Sequence, residues 1–176
     1  MSMGYLVPES SPVAWRGLMV MKALQQLLHE VDWGSLDILV LDLPPGTGDV
    51  QLTITQQLVL DGAIIVSTPQ DLSLKDAVKG VELFNKVDIN LLGLVCNMAN
   101  FKCPGCGSAH EVFGNMTRIR SMCSKYDLKI LGEIPLHASI SGGKKPTVIA
   151  DPEEERGIAF RKIAQEVEGL LGMKNI

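Results

Sequence analysis

DILVLDLPPGTGD, residues 37–49, is an apolar run that ends in a carboxylate and breaks into prolines and glycines. Ile38, Leu39, Val40 and Leu41 make a segment short for a helix, and its β-branched content and abrupt Pro/Gly stop predict a strand buried on both faces. Asp42 then falls at the strand's carboxyl end, where open parallel sheets bind their ligands. A carboxylate there suits a hydrated Mg²⁺ beside a phosphate. Gly46 and Gly48 allow backbone N–H groups to approach an anion, while Thr47 and Asp49 can hydrogen-bond a phosphate-bound water or cap the next helix. The plainer reading is a strand followed by a capped helix.

Outward from this stretch, apolar and charged composition is ordinary for a globular chain, and 176 residues form one domain by default. Sixteen basic against 20 acidic residues, with no dense basic block, point away from nucleic acid and anionic membranes. No apolar run approaches the roughly 18 residues of a spanning helix, and MSMGYLVPESSP resembles neither a signal peptide nor a transit sequence. Four cysteines in a domain of this size do not make a disulfide scaffold, so a reducing compartment is expected.

Apolar positions Val20, Leu24, Leu27, Leu28 and Val31 predict a packing helix over 15–31, with Arg16 at its start. Val50–Leu60 reads as a helix and Gly62–Val66 as a buried strand, and Asp71 is the expected N-cap of a helix through Val81 and Phe84. Strands follow at 91–95 and 129–134, and a long amphipathic helix at 153–171. Alternating strands and helices with no linker predict a three-layer α/β sandwich with a mainly parallel sheet. Cys96, inside LLGLVCNM, and Cys123, in a helical pattern, are expected in the core.

Two positions remain for ligands. Asn97 closes a strand with an amide that both donates and accepts, although composition alone makes it a turn residue. In FKCPGCG, Cys103 and Cys106 share a tight turn inside a polar loop over 101–114, a spacing that lets two thiolates face one metal or cluster. A tetrahedral zinc or four-iron cluster takes four ligands. A twofold dimer supplies the missing pair symmetrically, and His110 completing a zinc site is the competing arrangement. A thioredoxin-like pair is disfavoured because Gly107, Ser108 and Ala109 predict a loop and not a helix start.

Together with SMGYL, WRGLM, STPQD, LGLVCNM, CPGC and GEIPL, the segment DLPPGTGDVQL resembles the Mrp/ApbC family of P-loop ATPases, iron–sulfur carriers related to MinD. The likeness runs through nearly the whole chain and is strongest to the mitochondrial nucleotide-binding-protein-like members, which help assemble respiratory complex I. It implies a MinD-like P-loop fold in which Asp42 lies in the Walker B segment, Gly46 and Thr47 line the terminal phosphate, Asn97 contacts adenine and the loop at Pro135 closes over the base. It further implies ATP, Mg²⁺ and a [4Fe-4S] cluster bridging a homodimer through Cys103 and Cys106, with acceptor apo iron–sulfur proteins, complex I subunits among them, as partners. A mitochondrial matrix address follows from that likeness, and a cytoplasmic one from the wider family.

One part of the family pattern is missing. Its members begin with a strand and a deviant Walker A loop, GKGGVGK followed by Ser or Thr, and this chain reads as starting after it, without its first strand and P-loop. No strand leads into Gly142–Pro146, GGKKP, which is expected to be an exposed loop. The expected function is therefore an iron–sulfur scaffold or carrier whose full-length relatives are ATPases, with weak nucleotide binding by this chain alone. A zinc-stabilised interaction module and a MinD-like switch without a cluster are the alternatives.

Overall fold

The computed structural model describes residues 1–2, 5, 18–44, 46, 48–142 and 145–173. Two compact units, Met1–Val59 and Leu60–Ile176, divide the chain.

In the first unit α1 spans Leu18–His29 and α2 spans Asp49–Gln57. The predicted helix over 15–31 is thus present from Leu18, and Trp15 and Arg16 lie outside the described residues. Residues 37–44 are not a strand, contrary to expectation. Ile38 and Leu39 are exposed and Val40 is 82% exposed, so no face of the run is buried. A strand is maintained by its ladder, and among the described residues nothing pairs with this run, which leaves its apolar pattern without a sheet to fill. Ordered packing resumes at Gln51, a buried residue of α2 whose Nε2 donates to the Pro44 carbonyl at 2.5 Å, and at Ile54, which is fully buried.

The second unit carries a three-stranded parallel sheet in the order β1-β2-β5, with β1 at Ala63–Ser67, α3 at Asp71–Lys86, and β2 at Leu91–Cys96. After β2 come a two-residue pair, β3 at Phe101–Lys102 and β4 at Ala109–His110, then α4 at Met116–Lys125 and β5 at Ile130–Glu133. The chain ends through α5 at Ala138–Gly142, α6 at Thr147–Ala150 and α7 at Glu155–Leu170.

Central position explains why LLGLVC is almost continuously apolar. Side chains alternate across a strand, and both faces of β2 are covered. Leu94, in register with Ile65, lies on the face that α3 packs with Leu74, Ala77, Val81 and Phe84. Val95 lies on the other face and joins Leu131 and Ile134 in a cluster closed by Phe160, Ile163 and Val167 of α7. Full burial of side chains such as Val81, Leu94 and Ile119 contributes about 1.5–3 kcal/mol each. Helices on both faces of the parallel sheet make this unit the predicted three-layer α/β architecture.

Two details depart from expectation. On β1 only Ile65 and Ser67 are buried, while Ile64 and Val66 are exposed, because β1 is the edge strand and α7 does not extend over its outward face. The N-cap of α3 is Gln70 and not Asp71. Asp71, one residue inside, instead accepts a hydrogen bond from Arg118 of α4 at 2.8 Å, an exposed pair worth at most about 1 kcal/mol. The cap of α4 is more conventional. Asn115 Oδ1 accepts from the Thr117 amide at 2.7 Å and contributes about 1 kcal/mol.

Candidate functional site

Geometry around the two candidate thiols starts from a hairpin and not from the expected loop. β3 and β4 pair antiparallel, Phe101 opposite His110 and Lys102 opposite Ala109. Between them the Cys103 amide donates to the Ser108 carbonyl at 2.9 Å, and the Gly107 amide donates back to the Cys103 carbonyl at 2.8 Å. Gly107 turns the chain at φ +73°, a region that glycine enters without the Cβ penalty. Cys103 is half-buried and Cys106 exposed, and both are free thiols. The Ser108 hydroxyl, then the Ser108 amide, then the Cys103 side chain hydrogen-bond Cys106 and hold its thiol below the ordinary value. Both thiols thus lie in the one turn that the hairpin closes. Among the described residues no group of three or more His, Cys, Asp or Glu side chains is placed to hold a metal ion, so His110 does not complete a site with this pair.

The hairpin grows directly out of the sheet. The Ile134 amide donates to the Cys96 carbonyl at 2.8 Å, Ala99 to Ile134 at 3.0 Å and Leu136 to Asn100 at 2.7 Å, with a parallel bridge between Phe101 and Leu136 beyond them. Asn97 and Pro135, both given a base-side role by the family resemblance, therefore sit on the two sides of one ladder. The Asn97 amide nitrogen of the backbone donates to the Ser67 carbonyl at 2.7 Å. Its side-chain oxygen accepts from the Met98 amide at 2.9 Å, and Met98 stands at φ 54°. That oxygen keeps a second lone pair, and among the described residues the side-chain NH₂ meets no acceptor, as reading a base edge requires.

Asp42 and Gly46 belong to the first unit. Asp42 is exposed on an irregular stretch and not at the end of a strand. Gly46 stands at φ +97° with open space around its missing Cβ, and Gly48 is the N-cap of α2 with no side-chain cap. An open glycine turn at an uncapped helix start suits an anion. Asp49 is the first residue of α2 and not its cap. Thr47, Gly143 and Lys144 lie outside the described residues, and Gly142 is the last residue of α5.

Cys96 and Cys123 are core residues as expected, 0% and 3% exposed. Burial first, then the Glu133 carboxylate and the Cys123 thiol, push the Cys96 thiol from 9.0 up to about 11, and burial also raises Cys123. The folded state thus holds these protons longer than the unfolded chain. The Cys96 contribution to stability is whole below pH 9 and is lost as pH rises through about 11, and that of Cys123 is lost in the same direction. Urea midpoints between pH 8 and 10.5 are expected to fall more steeply in the parent than in Cys96→Ala, and equal slopes would refute the assignment.

Sequence reasoning read Ser108 only as a loop residue beside Gly107. It overlooked the ladder, which depends on two segments more than 30 residues apart.

Over residues 1–168 the chain matches the ParA family, described as NUBPL iron-transfer P-loop NTPase. It is 51% identical over 170 residues to the mouse iron-sulfur cluster transfer protein NUBPL, covering 95% of this chain and 53% of that protein. It is also 48% identical over 179 residues to an Arabidopsis thaliana iron-sulfur protein required for NADH dehydrogenase, mitochondrial, covering 100% of this chain and 56% of that one. A nucleotide-binding protein of Archaeoglobus fulgidus solved in complex with ADP is 35% identical with a TM-score of 0.64, over 80% of this chain and 53% of its own. The chain spans about half the length of the curated relatives it matches. By the extent of that family match and the α/β parallel-sheet fold, this chain belongs to the ParA family of NUBPL-type iron-transfer P-loop NTPases.

Proposed function

We propose that this chain is an iron–sulfur cluster carrier that holds a [4Fe-4S] cargo between two copies of itself. The observation that carries this reading is the pair of free, adjacent thiols, Cys103 and Cys106, on an exposed hairpin tip in a chain of an iron-transfer family. Two thiolates fill half the coordination of a four-iron cluster, and a twofold-related copy fills the rest. Exposure then serves release, because an acceptor's thiolates can replace Cys106 and Cys103 in turn. A structural zinc site gains less support, since no further ligand of the chain stands beside the pair among the described residues.

A nucleotide role is part of the same proposal. Mg²⁺-bound ATP would supply the free energy that times loading or release. By the family resemblance Gly46 and Thr47 are the phosphate-side residues, Asp42 the Mg²⁺-side carboxylate, and Asn97 and Pro135 the base-side residues. The open space beside Gly46 and the uncapped start of α2 support the phosphate side, and the Asn97 NH₂, which meets no acceptor among the described residues, supports the base side. The likeness to NUBPL favours a mitochondrial matrix setting and apo subunits of complex I as acceptors. No helix among the described residues is long and apolar enough to cross a membrane.

Anaerobic reconstitution with iron and sulfide tests the reading. Four iron and four sulfide per two chains are expected, with dimer mass by light scattering and cluster passing to an apo acceptor. Stoichiometric zinc without sulfide, or a stable cluster on a monomer, would refute it.

A further inference from the structure

Among the described residues three besides glycine have a positive φ: Asp88, Met98 and Asp127. The two aspartates are explained by their place. They follow the C-caps of α3 and α4, where the Ile89 amide donates to the Phe84 carbonyl at 3.0 Å and the Leu128 amide to the Cys123 carbonyl at 2.8 Å, a helix ending that calls for a left-handed residue. Met98, at φ 54°, ends no helix and has no short polar side chain to ease the conformation. It makes a step in the sheet. Residues two apart on a regular strand face the same neighbour, yet the Asn97 amide donates to Ser67 on the β1 side and the Ala99 amide to Ile134 on the β5 side. One residue has been added between them, as in a β-bulge, and that residue is Met98.

The added residue carries the N–H that Asn97 Oδ1 accepts at 2.9 Å. Turned over, the carboxamide would set its NH₂ against that N–H, donor against donor, so one polarity is fixed. We propose that Met98 is a positioning residue for the base side, whose left-handed backbone holds the Asn97 carboxamide in that polarity and so sets which purine is taken. The inference rests on the base-side reading of Asn97 given above. An amide held this way offers the second lone pair of Oδ1 beside an NH₂ donor, the complement of a purine amino group beside a ring nitrogen. A purine with a carbonyl in place of that amino group sets oxygen against oxygen, and only an amide free to turn over accommodates it. The role requires the backbone of Met98 and not its thioether, which separates it from packing.

Nucleoside titrations followed by NMR test this with adenosine and inosine on the parent, Met98→Gly and Met98→Ile, together with hydrogen exchange of the amide at position 98. Glycine enters the left-handed region freely, whereas a β-branched residue of similar volume to methionine is an outlier there. The parent is expected to prefer adenosine roughly tenfold and to protect the amide at position 98. Met98→Gly should keep both, and Met98→Ile should bring the two nucleosides to within about twofold of each other and open the amide to exchange. A packing role predicts the opposite order, with isoleucine retaining the preference and glycine losing it. That order, parental preference in a folded Met98→Ile, or an unprotected amide in the parent would overturn the inference while leaving the base-side reading intact. If Met98→Ile does not fold, Met98→Gly and Asn97→Ala decide. An amide at position 98 that stays protected in Met98→Gly and exchanges freely in Asn97→Ala supports the role, and the reverse of either overturns it. A parent without preference for adenosine ends the base-side reading and this inference together.

Discussion

Cys103→Ala and Cys106→Ala are each expected to bind none of the labile sulfide that the parent takes up on reconstitution, yet to unfold within about 0.5 kcal/mol of it. The asymmetry follows from location. Neither side chain is part of the core, and the hairpin is closed by backbone hydrogen bonds that an alanine keeps. Cys96→Ala and Cys123→Ala should show the reverse. Both side chains are buried, so removing the sulfur leaves a void costing about 1–2 kcal/mol, while cluster content per folded chain stays at the parental level. Iron and sulfide assays beside urea titrations of the four variants measure both sides of this exchange. A cluster surviving in Cys103→Ala would remove the hairpin from the site.

The largest effect on stability is expected at Gly93. It lies at φ +150° in the central strand, and a Cβ there would collide with the Lys129 carbonyl and with the Leu131 side chain at 2.8 Å. That carbonyl accepts the Leu94 amide at 2.8 Å, so it cannot retreat without loosening the approach of β5 to β2. Gly93→Val therefore adds backbone strain to overpacking, at a combined cost on the order of 3–5 kcal/mol. Gly80→Ala in α3 is the contrast. Its Cβ would meet only Ile65 Cδ1 at 3.5 Å, ordinary contact, and alanine should add about 0.5–1 kcal/mol to an α-helix. Circular dichroism with urea would compare the two. A Gly93→Val protein with the parental midpoint would mean that β2 and β5 are not packed as described.

How much of this was legible depended on whether a residue's fate was decided nearby. The helical stripe through Val81 and Phe84 and the run LLGLVC could be read directly, because local periodicity and length already say that one buries a stripe and the other both faces. ILVL at 38–41 carries the same kind of pattern as LLGLVC and has no ladder among the described residues. What separates them is the presence of partner strands, which no local pattern encodes. The open face of β1 failed for a related reason, since an apolar run does not say whether it is central or at the edge. For the site, cysteine spacing pointed to the thiols, whereas strands of two residues are too short to leave a period and the hairpin around them was missed. The cap of α3 moved by one residue because Asp71 found Arg118 instead of its own backbone, a choice made 47 residues away.

The ladder that joins 99–101 to 134–136 also sets the order in which this end of the molecule can come apart. Opening must begin at the outermost rung, Phe101 with Leu136, and reach the Asn100 and Ala99 bonds before it meets the Ile134 amide, which is tied to a fully buried Cys96. Local stability thus rises in steps from the hairpin inward. The thiols occupy the first segment to be released by thermal fluctuation and the flank of Pro135 the second, while the sheet behind them stays closed. A partner that engages the thiols can therefore draw the hairpin away with them by fraying two or three backbone bonds, at a small fraction of the cost of unfolding the domain.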